Sequence, residues 1–371
     1  MALLTLLLAL NGMFALALPG SAATAVQGPE TVERSLHAMG TTWTLAVEGP
    51  TRSEALLASE AAVAALEAVE ARLSTWRPGS ELAQLNAAPV GQPVALSPEL
   101  GDWLQRAWAW STATAGAFDP AVAPLVRAWD LRGSGRRPTP AEREEAQQAS
   151  GAAAWDWSAL PERVTRLDAA AGLEEGGFGK GAGLDAALEA LKGAGATSAR
   201  LDLGGQVAVL TTATPETTEP LRYAIAHPTE RRRGVLAIDL TSGSVATSGN
   251  SERGLVVDGA RLGHLLDPRT GLPAEDFGSV SVWCTNALDA DCLSTALYVL
   301  GPERALRFAH ETEGVEAVVL EGQGAHLRAR ATTGLRGRLH TLESATRIEW
   351  FAPPADDPSS SPAPTLPLGS R

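Results

Sequence analysis

Asp291 and Thr295 stand four residues apart in Ala290-Asp291-Cys292-Leu293-Ser294-Thr295-Ala296-Leu297, where an apolar strand ends and a helix should begin. On a helix that spacing puts a carboxylate and a hydroxyl on one face. Hard cations such as magnesium take oxygen ligands of this kind and fill their remaining positions with water and a substrate's phosphates. Read as structure alone, the same two residues are a helix cap and a core hydroxyl.

Four other segments carry chemistry-bearing groups. Gly176-Gly177-Phe178-Gly179-Lys180-Gly181-Ala182-Gly183 precedes a helical run, and such a turn offers backbone N–H groups to phosphate oxygens, with Lys180 adding charge. It is neither of the usual nucleotide loops. Gly181 stands where a Walker loop needs Ser or Thr, and Glu174 and Glu175 stand where a Rossmann turn needs a buried strand. A tight structural turn is the plain alternative. Gly204-Gly205 marks a close backbone approach or a bulge, and Thr247-Ser248-Gly249-Asn250 a polar turn with hydroxyls to present. His264, in Gly263-His264-Leu265-Leu266-Asp267-Pro268-Arg269-Thr270-Gly271, is either a base working near neutral pH or a satisfied structural histidine, with Asp267 capping the turn that follows. The sequence contains neither Gly-x-Ser-x-Gly nor His-Glu-x-x-His, which removes the familiar serine and zinc hydrolase arrangements.

The elements that must hold these groups follow from periodicity. A strand is expected at Thr42 to Val47, and Ser53 opens an amphipathic helix with apolar positions at Leu56, Val63, Leu66, Val69 and Leu73. A second helix is expected from Pro98 to Ala115, stopped by Gly116, and a third from Gly181 to Lys192, with an exposed loop from Gly133 to Pro140. Strands then dominate at Val207 to Leu210, Leu221 to Ala226, Val235 to Leu240, Leu255 to Val257 and Val280 to Trp283, before a helix from Pro302 to Thr312 and a strand from Val315 to Leu320. Long helices and strand runs without a regular βαβ repeat predict an α+β fold.

Composition narrows the function. With 371 residues, 44% of them hydrophobic, the chain can bury a large core, and a net charge of −13 leaves no basic face for a nucleic-acid backbone. Residues 1–25 are uncharged, mostly apolar and end in Ala23-Thr24-Ala25, the pattern of a secretory signal peptide, so an exported, periplasmic protein is expected. An uncleaved N-terminus would give weak membrane association. In that compartment Cys284 and Cys292 form either a disulfide or two buried thiols. The Pro- and Ser-rich residues 352–371 read as a disordered tail.

Taken in order along the chain, these motifs resemble the ApbE family, the FAD:protein FMN transferases. The resemblance spans about residues 33–345 and rests on His37-Ala38-Met39-Gly40-Thr41, Leu73-Ser74-Thr75-Trp76, Ser80-Glu81-Leu82 with Leu85-Asn86, and Gly116-Ala117-Phe118-Asp119-Pro120 with Pro124-Leu125-Val126. It continues through Gly179-Lys180-Gly181, Gly204-Gly205, Thr247-Ser248-Gly249, the run from His264 to Gly271, and Ala290-Asp291 with Ser294 to Leu297. It implies a single large, T-fold-related domain of mixed and antiparallel sheets packed by helices. It also implies magnesium-dependent transfer of the FMN moiety of FAD to a Thr hydroxyl of a respiratory or electron-transfer protein, with release of AMP. FAD hydrolysis to FMN and AMP, or FAD binding without turnover, are the alternatives. By resemblance Asp291, Thr295 and the Gly177 carbonyl are metal ligands, and Asp291 and His264 are catalytic, His264 as the proton acceptor. Met39, Trp76, Ala117, Phe118, Asp119, Glu174, Lys180 and Leu265 fall at FAD-contact positions. The chain departs from the family's usual pattern in Glu174 for Asp, Trp76 for Tyr, Gly177 for a residue with a hydroxyl, and Asn250-Ser251-Glu252-Arg253 without an aromatic.

Overall fold

Alternating strands assemble into a nine-stranded sheet in a computed structural model that describes residues 30–213, 219–250, 254–257, 260–322 and 327–353. The expected signal peptide, Ser251 to Arg253, and all but the first two residues of the expected tail lie outside the described residues. In spatial order the strands are Glu30–Ala38, Thr41–Gly49, Ser198–Leu203, Gln206–Thr211, Gly243–Gly249, Gly278–Cys284, Val315–Glu321, Arg328–Ala331 and Ile348–Trp350. Neighbours pair antiparallel except the last two, where Ala329 faces Ile348 in a parallel ladder.

Both faces of this sheet are covered. Successive side chains point to opposite faces, so Val207, Val245, Val318 and Leu320 enter one core while Ala208, Ala246, Ala317 and Val319 enter the others. The first core is closed by a three-stranded sheet of Leu221–His227, Glu230–Leu240 and Leu339–Thr341. The opposite face carries the helices Arg52–Leu73, Gly179–Gly193 and Ala287–Leu300. The result is the α+β architecture expected from the sequence.

Two expectations change. In the helix Arg52–Leu73 the buried stripe is Ala55, Ala58, Ser59, Ala62, Leu66, Val69 and Leu73, and Leu56 is 42% exposed. Small residues face inward because backbone comes close there: a Cβ on Gly49 would lie 2.8 Å from the Ala55 nitrogen. The second helix ends at Ala113, since Ala115 and Gly116 take φ of 51° and 76° and turn the chain away. Cys284 and Cys292 are separate thiols, both buried, and burial pushes both well above the ordinary thiol range. Among the described residues no helix is long and apolar enough to cross a membrane.

Candidate active site

Two helices that start side by side supply the centre of the site. Gly179–Gly193 begins directly after the short 3-10 turn Glu175–Gly177, and Ala287–Leu300 begins just after the strand Gly278–Cys284. Asp291 lies in the second turn of the latter and is 3% exposed. Its Oδ1 accepts from Lys180 Nζ at 2.9 Å and its Oδ2 from the Gly181 main-chain nitrogen at 3.0 Å. A buried carboxylate needs such partners, and these two come from the glycine-rich segment. Gly181 also lets the two helices touch: a Cβ there would fall 2.3 Å from the Ala287 carbonyl oxygen and 2.4 Å from Leu288 Cα. The Gly-Lys-Gly run therefore serves helix–helix contact as well as the cavity.

Thr295 follows Asp291 by one turn. A Cβ on Gly177 would lie 3.5 Å from Thr295 Oγ1 and 2.9 Å from the Phe118 ring, so a side chain at 177 has no room and only the backbone can face the hydroxyl. Beside them opens a polar cavity of about 80 Å³ whose walls include Gly176, Lys180, Gln206, Thr247, Ser248, His264, Leu265, Asp291 and Thr295. Lys180, His264, Leu265, Asp291 and Thr295, chosen from three separate stretches of sequence, thus line one space. Its polar lining suits a phosphate group.

An aromatic and ionic cluster adjoins the cavity. Trp76 is 67% exposed, and the Arg132 guanidinium lies 4.8 Å from its ring centroid. Arg132 also reaches Glu174 Oε2 at 2.5 Å and Glu175 Oε2 at 3.7 Å, and bonds Thr75 Oγ1. Burial holds the Glu174 carboxyl above its usual range and the Glu175 charge adds to this, with Arg132 opposing both. Glu174 Oε1 sits 3.7 Å from where a Cβ on Gly176 would be, so this cluster meets the cavity wall.

Other positions expected to contact FAD lie elsewhere. Ala117, Phe118 and Asp119 are 1%, 3% and 6% exposed and do not line the cavity. Phe118 packs behind Gly177, and Asp119, which accepts from the Ala121 nitrogen at 2.8 Å, is pushed by burial to a pKa of about 6. Met39 packs onto the helix Gly179–Gly193, its Cε 2.9 Å from where a Cβ on Gly183 would stand.

The donor set can be tested against the implied metal. Among the described residues no group of three or more His, Cys, Asp or Glu is arranged to hold an ion. One buried carboxylate, a hydroxyl one turn away and a backbone at Gly177 stripped of side chain suit a hard cation completed by phosphate and water, and do not suit zinc. The residues fit magnesium of the substrate-assisted kind.

Three polar residues were not singled out from sequence. Gln206, 2% exposed, donates from Nε2 to the Ala287 carbonyl at 2.8 Å and to Ser244 Oγ at 3.3 Å. Ser294 Oγ lies 2.9 Å from Ser248 Oγ and donates to the Asp291 carbonyl at 3.0 Å. Asp185 accepts from the first N–H groups of the helix Ala287–Leu300. Each looks like an ordinary strand or helix residue until its neighbour in space is known.

Comparison with known proteins gives a consistent result. The ApbE family model matches residues 39–319. The FAD:protein FMN transferase of Treponema pallidum (strain Nichols) is 32% identical over 318 residues, covering 76% of this chain and 82% of that protein. The FAD:protein FMN transferase of Klebsiella pneumoniae (strain 342) is 30% identical over 325 residues, covering 82% and 87%. Among solved structures, the apo form of Pseudomonas stutzeri flavinyl transferase ApbE superposes with a TM-score of 0.71 at 27% identity, over 84% of this chain and 97% of that one. The flavin transferase ApbE from Vibrio cholerae gives 0.72 at 25% identity, over 84% and 100%.

Proposed function

The chain belongs to the ApbE family, and on that premise we propose that it transfers the FMN moiety of FAD to a Thr hydroxyl of a target protein, releasing AMP. The observation that carries the proposal is the meeting of Lys180, His264, Asp291 and Thr295 in one polar cavity. Phosphoryl transfer asks a protein mainly for positioning and for charge neutralisation on the transferring group. Asp291, Thr295 and the Gly177 carbonyl would hold a magnesium ion, which would supply charge neutralisation on the diphosphate. Lys180 adds a second positive charge on the same side. The acceptor Thr oxygen bonds to the FMN phosphorus, the bond from that phosphorus to the bridging oxygen breaks, and the bridging oxygen leaves with AMP. His264 takes the proton of the Thr hydroxyl.

The flavin ring is assigned to the side of Trp76 and Glu174. Trp76 keeps an aromatic face for stacking, and Glu174, one methylene longer than the Asp usual at this position, is held in place by Arg132. The N-terminal composition supports export, so the acceptor we assign is a periplasmic domain of a respiratory or electron-transfer protein, with membrane association only through an uncleaved leader.

The test is incubation of the mature protein with FAD, magnesium and a Thr-containing acceptor domain, following AMP release and acceptor mass together. AMP with an acceptor heavier by one FMN supports transfer. AMP with an unmodified acceptor replaces transfer by FAD hydrolysis, and tight FAD binding without AMP leaves only a binding protein.

A further inference from the structure

Asp185 lies on the helix Gly179–Gly193 and its carboxylate faces the start of the helix Ala287–Leu300. A helix begins with N–H groups that have no partner within it. Here Asn286, at the cap position, makes no side-chain capping bond, and Asp185 takes over: Oδ1 accepts from the Ala287 nitrogen at 2.6 Å and Oδ2 from the Leu288 nitrogen at 3.1 Å. The cap is thus supplied by the neighbouring helix, and both carboxylate oxygens are used.

That carboxylate is itself fixed. Arg106, from the helix Pro98–Ala113, places Nη2 at 3.6 Å from Asp185 Oδ2 and 3.1 Å from Asp289 Oδ1. Asp289 Oδ1 accepts from Trp110 Nε1 at 2.7 Å, and its Oδ2 accepts from Asn286 at 3.2 Å. One helix turn further on, the same pair of helices is tied again by Gly181 and Lys180 on Asp291. The two helices are therefore joined at two levels, and the level that carries no cavity residue sets the height and rotation of the one that does.

We infer that Asp185, backed by Arg106, is a positioning residue for the Asp291 and Thr295 oxygens: it fixes the first turn of their helix against the helix of Lys180. The inference rests on the flavin-transferase reading of the cavity, because only there do Asp291 and Thr295 act as ligands. Partners that orient metal ligands without touching the metal commonly matter about tenfold or more to affinity.

The experiment measures Mn²⁺ binding to the full mature chain, without FAD and again with FAD against an FAD-only blank, by loss of the free-ion EPR signal, alongside Tm. Mn²⁺ serves as the probe because it shares magnesium's preference for oxygen ligands. Asp185→Asn keeps the shape but turns an amide N–H₂ toward a main-chain donor, and the expected result is a Kd for Mn²⁺ weakened about tenfold or more, with Asp185→Glu recovering part of the loss. Should Asp185→Asn fail to fold, the Asp185→Glu variant alone carries the test, with a smaller weakening expected. A variant with lowered Tm and the wild-type Kd overturns the inference, since that is what a purely structural cap would give. Absence of Mn²⁺ binding by the wild type both without and with FAD instead overturns the metal reading itself, and the inference with it.

Discussion

Gly181→Ala is the smallest change that tests the helix contact at the heart of the site. The new methyl carbon would stand 2.3 Å from the Ala287 carbonyl oxygen, where ordinary contact begins near 3.4 Å, so the helices must part by about 1 Å. The three nearest obstacles, the Ala287 carbonyl oxygen and carbon and Leu288 Cα, are main-chain atoms, and no side-chain rotation relieves them. Overpacking of this kind costs about 1–3 kcal/mol. A shift of about 1 Å along the bond also carries the Gly181 N–H beyond hydrogen-bond distance of Asp291 Oδ2, now 3.0 Å away, and a bond to a charged group is worth about 1.5–3 kcal/mol. The combined loss of about 4 kcal/mol corresponds to a fall in Tm of about 6 °C for a domain of this size. At a temperature where the variant is folded, displacement of the Asp291 helix by that distance should slow AMP release about 100-fold. Circular-dichroism melts and the AMP assay read the two effects separately. Gly183→Ala is the control, because its Cβ first meets the flexible tip of Met39, at 2.9 Å. A Gly181→Ala protein that melts within a degree of wild type and transfers at the wild-type rate would refute the close-contact argument.

Asp291→Ala removes the carboxylate shared by Lys180 and Gly181, and transfer should fall at least about 100-fold with the far-ultraviolet spectrum unchanged; undiminished turnover would sink the metal role. Trp76→Ala removes the exposed ring beside Glu174 and should raise the KM for FAD about 2–10-fold, the equivalent of one aromatic contact, with little change in kcat; an unaltered KM would move the flavin elsewhere. Asp119 titrates near pH 6 in the folded protein against an ordinary value of 3.8, so from about pH 4 to 6 the native state binds more protons than the unfolded chain and stability falls as pH rises, by about 3 kcal/mol in all. Asp119→Asn, which keeps an acceptor for the Ala121 nitrogen, abolishes that slope; its gain in Tm over wild type should grow from pH 4 to pH 7, and a gain constant across that range argues against the buried ionisation.

What the sequence made legible was local. Asp291 and Thr295 share a helix face by spacing alone, and the strand and helix flanking them follow from a hydrophobic pattern interrupted by Thr285-Asn286. The strand Glu30–Ala38 escaped the same reading because it lies at the sheet edge, where the adjacent charges Glu33 and Arg34 break the alternation and only Val32 and Ala38 are buried. Gln206 was hidden in an apolar strand, and Asp185 in the surface-like pattern of Leu184 to Lys192; each acts through main-chain groups of Ala287 or Leu288, distant in sequence. Periodicity reports how a residue relates to its own element, whereas these roles depend on where the next element begins. The glycine-rich run illustrates both limits. By sequence it reads as a phosphate turn or a tight structural turn, and the structure gives Gly176 to the cavity wall and Gly181 to the helix crossing.

Charge accounting explains why such a cavity should work with a divalent cation. Its ionisable lining consists of Lys180, His264 and Asp291, and Lys180 is already ion-paired with Asp291 at 2.9 Å. The adjoining Glu174 and Glu175 share Arg132 between them. A diphosphate entering this space brings further negative charge toward a carboxylate that is 3% exposed, in a chain whose net charge is −13. Repulsion between like charges in a poorly solvated site is strong, and one lysine cannot offset both the carboxylate and the diphosphate. In the proposed reading, oxygen ligands at Asp291 and Thr295 would let the missing positive charge arrive with the substrate, and Asp291, the carboxylate that would hold the cation, is the group that would otherwise repel FAD. Metal and dinucleotide should therefore bind with positive coupling, each raising the affinity for the other by the same factor.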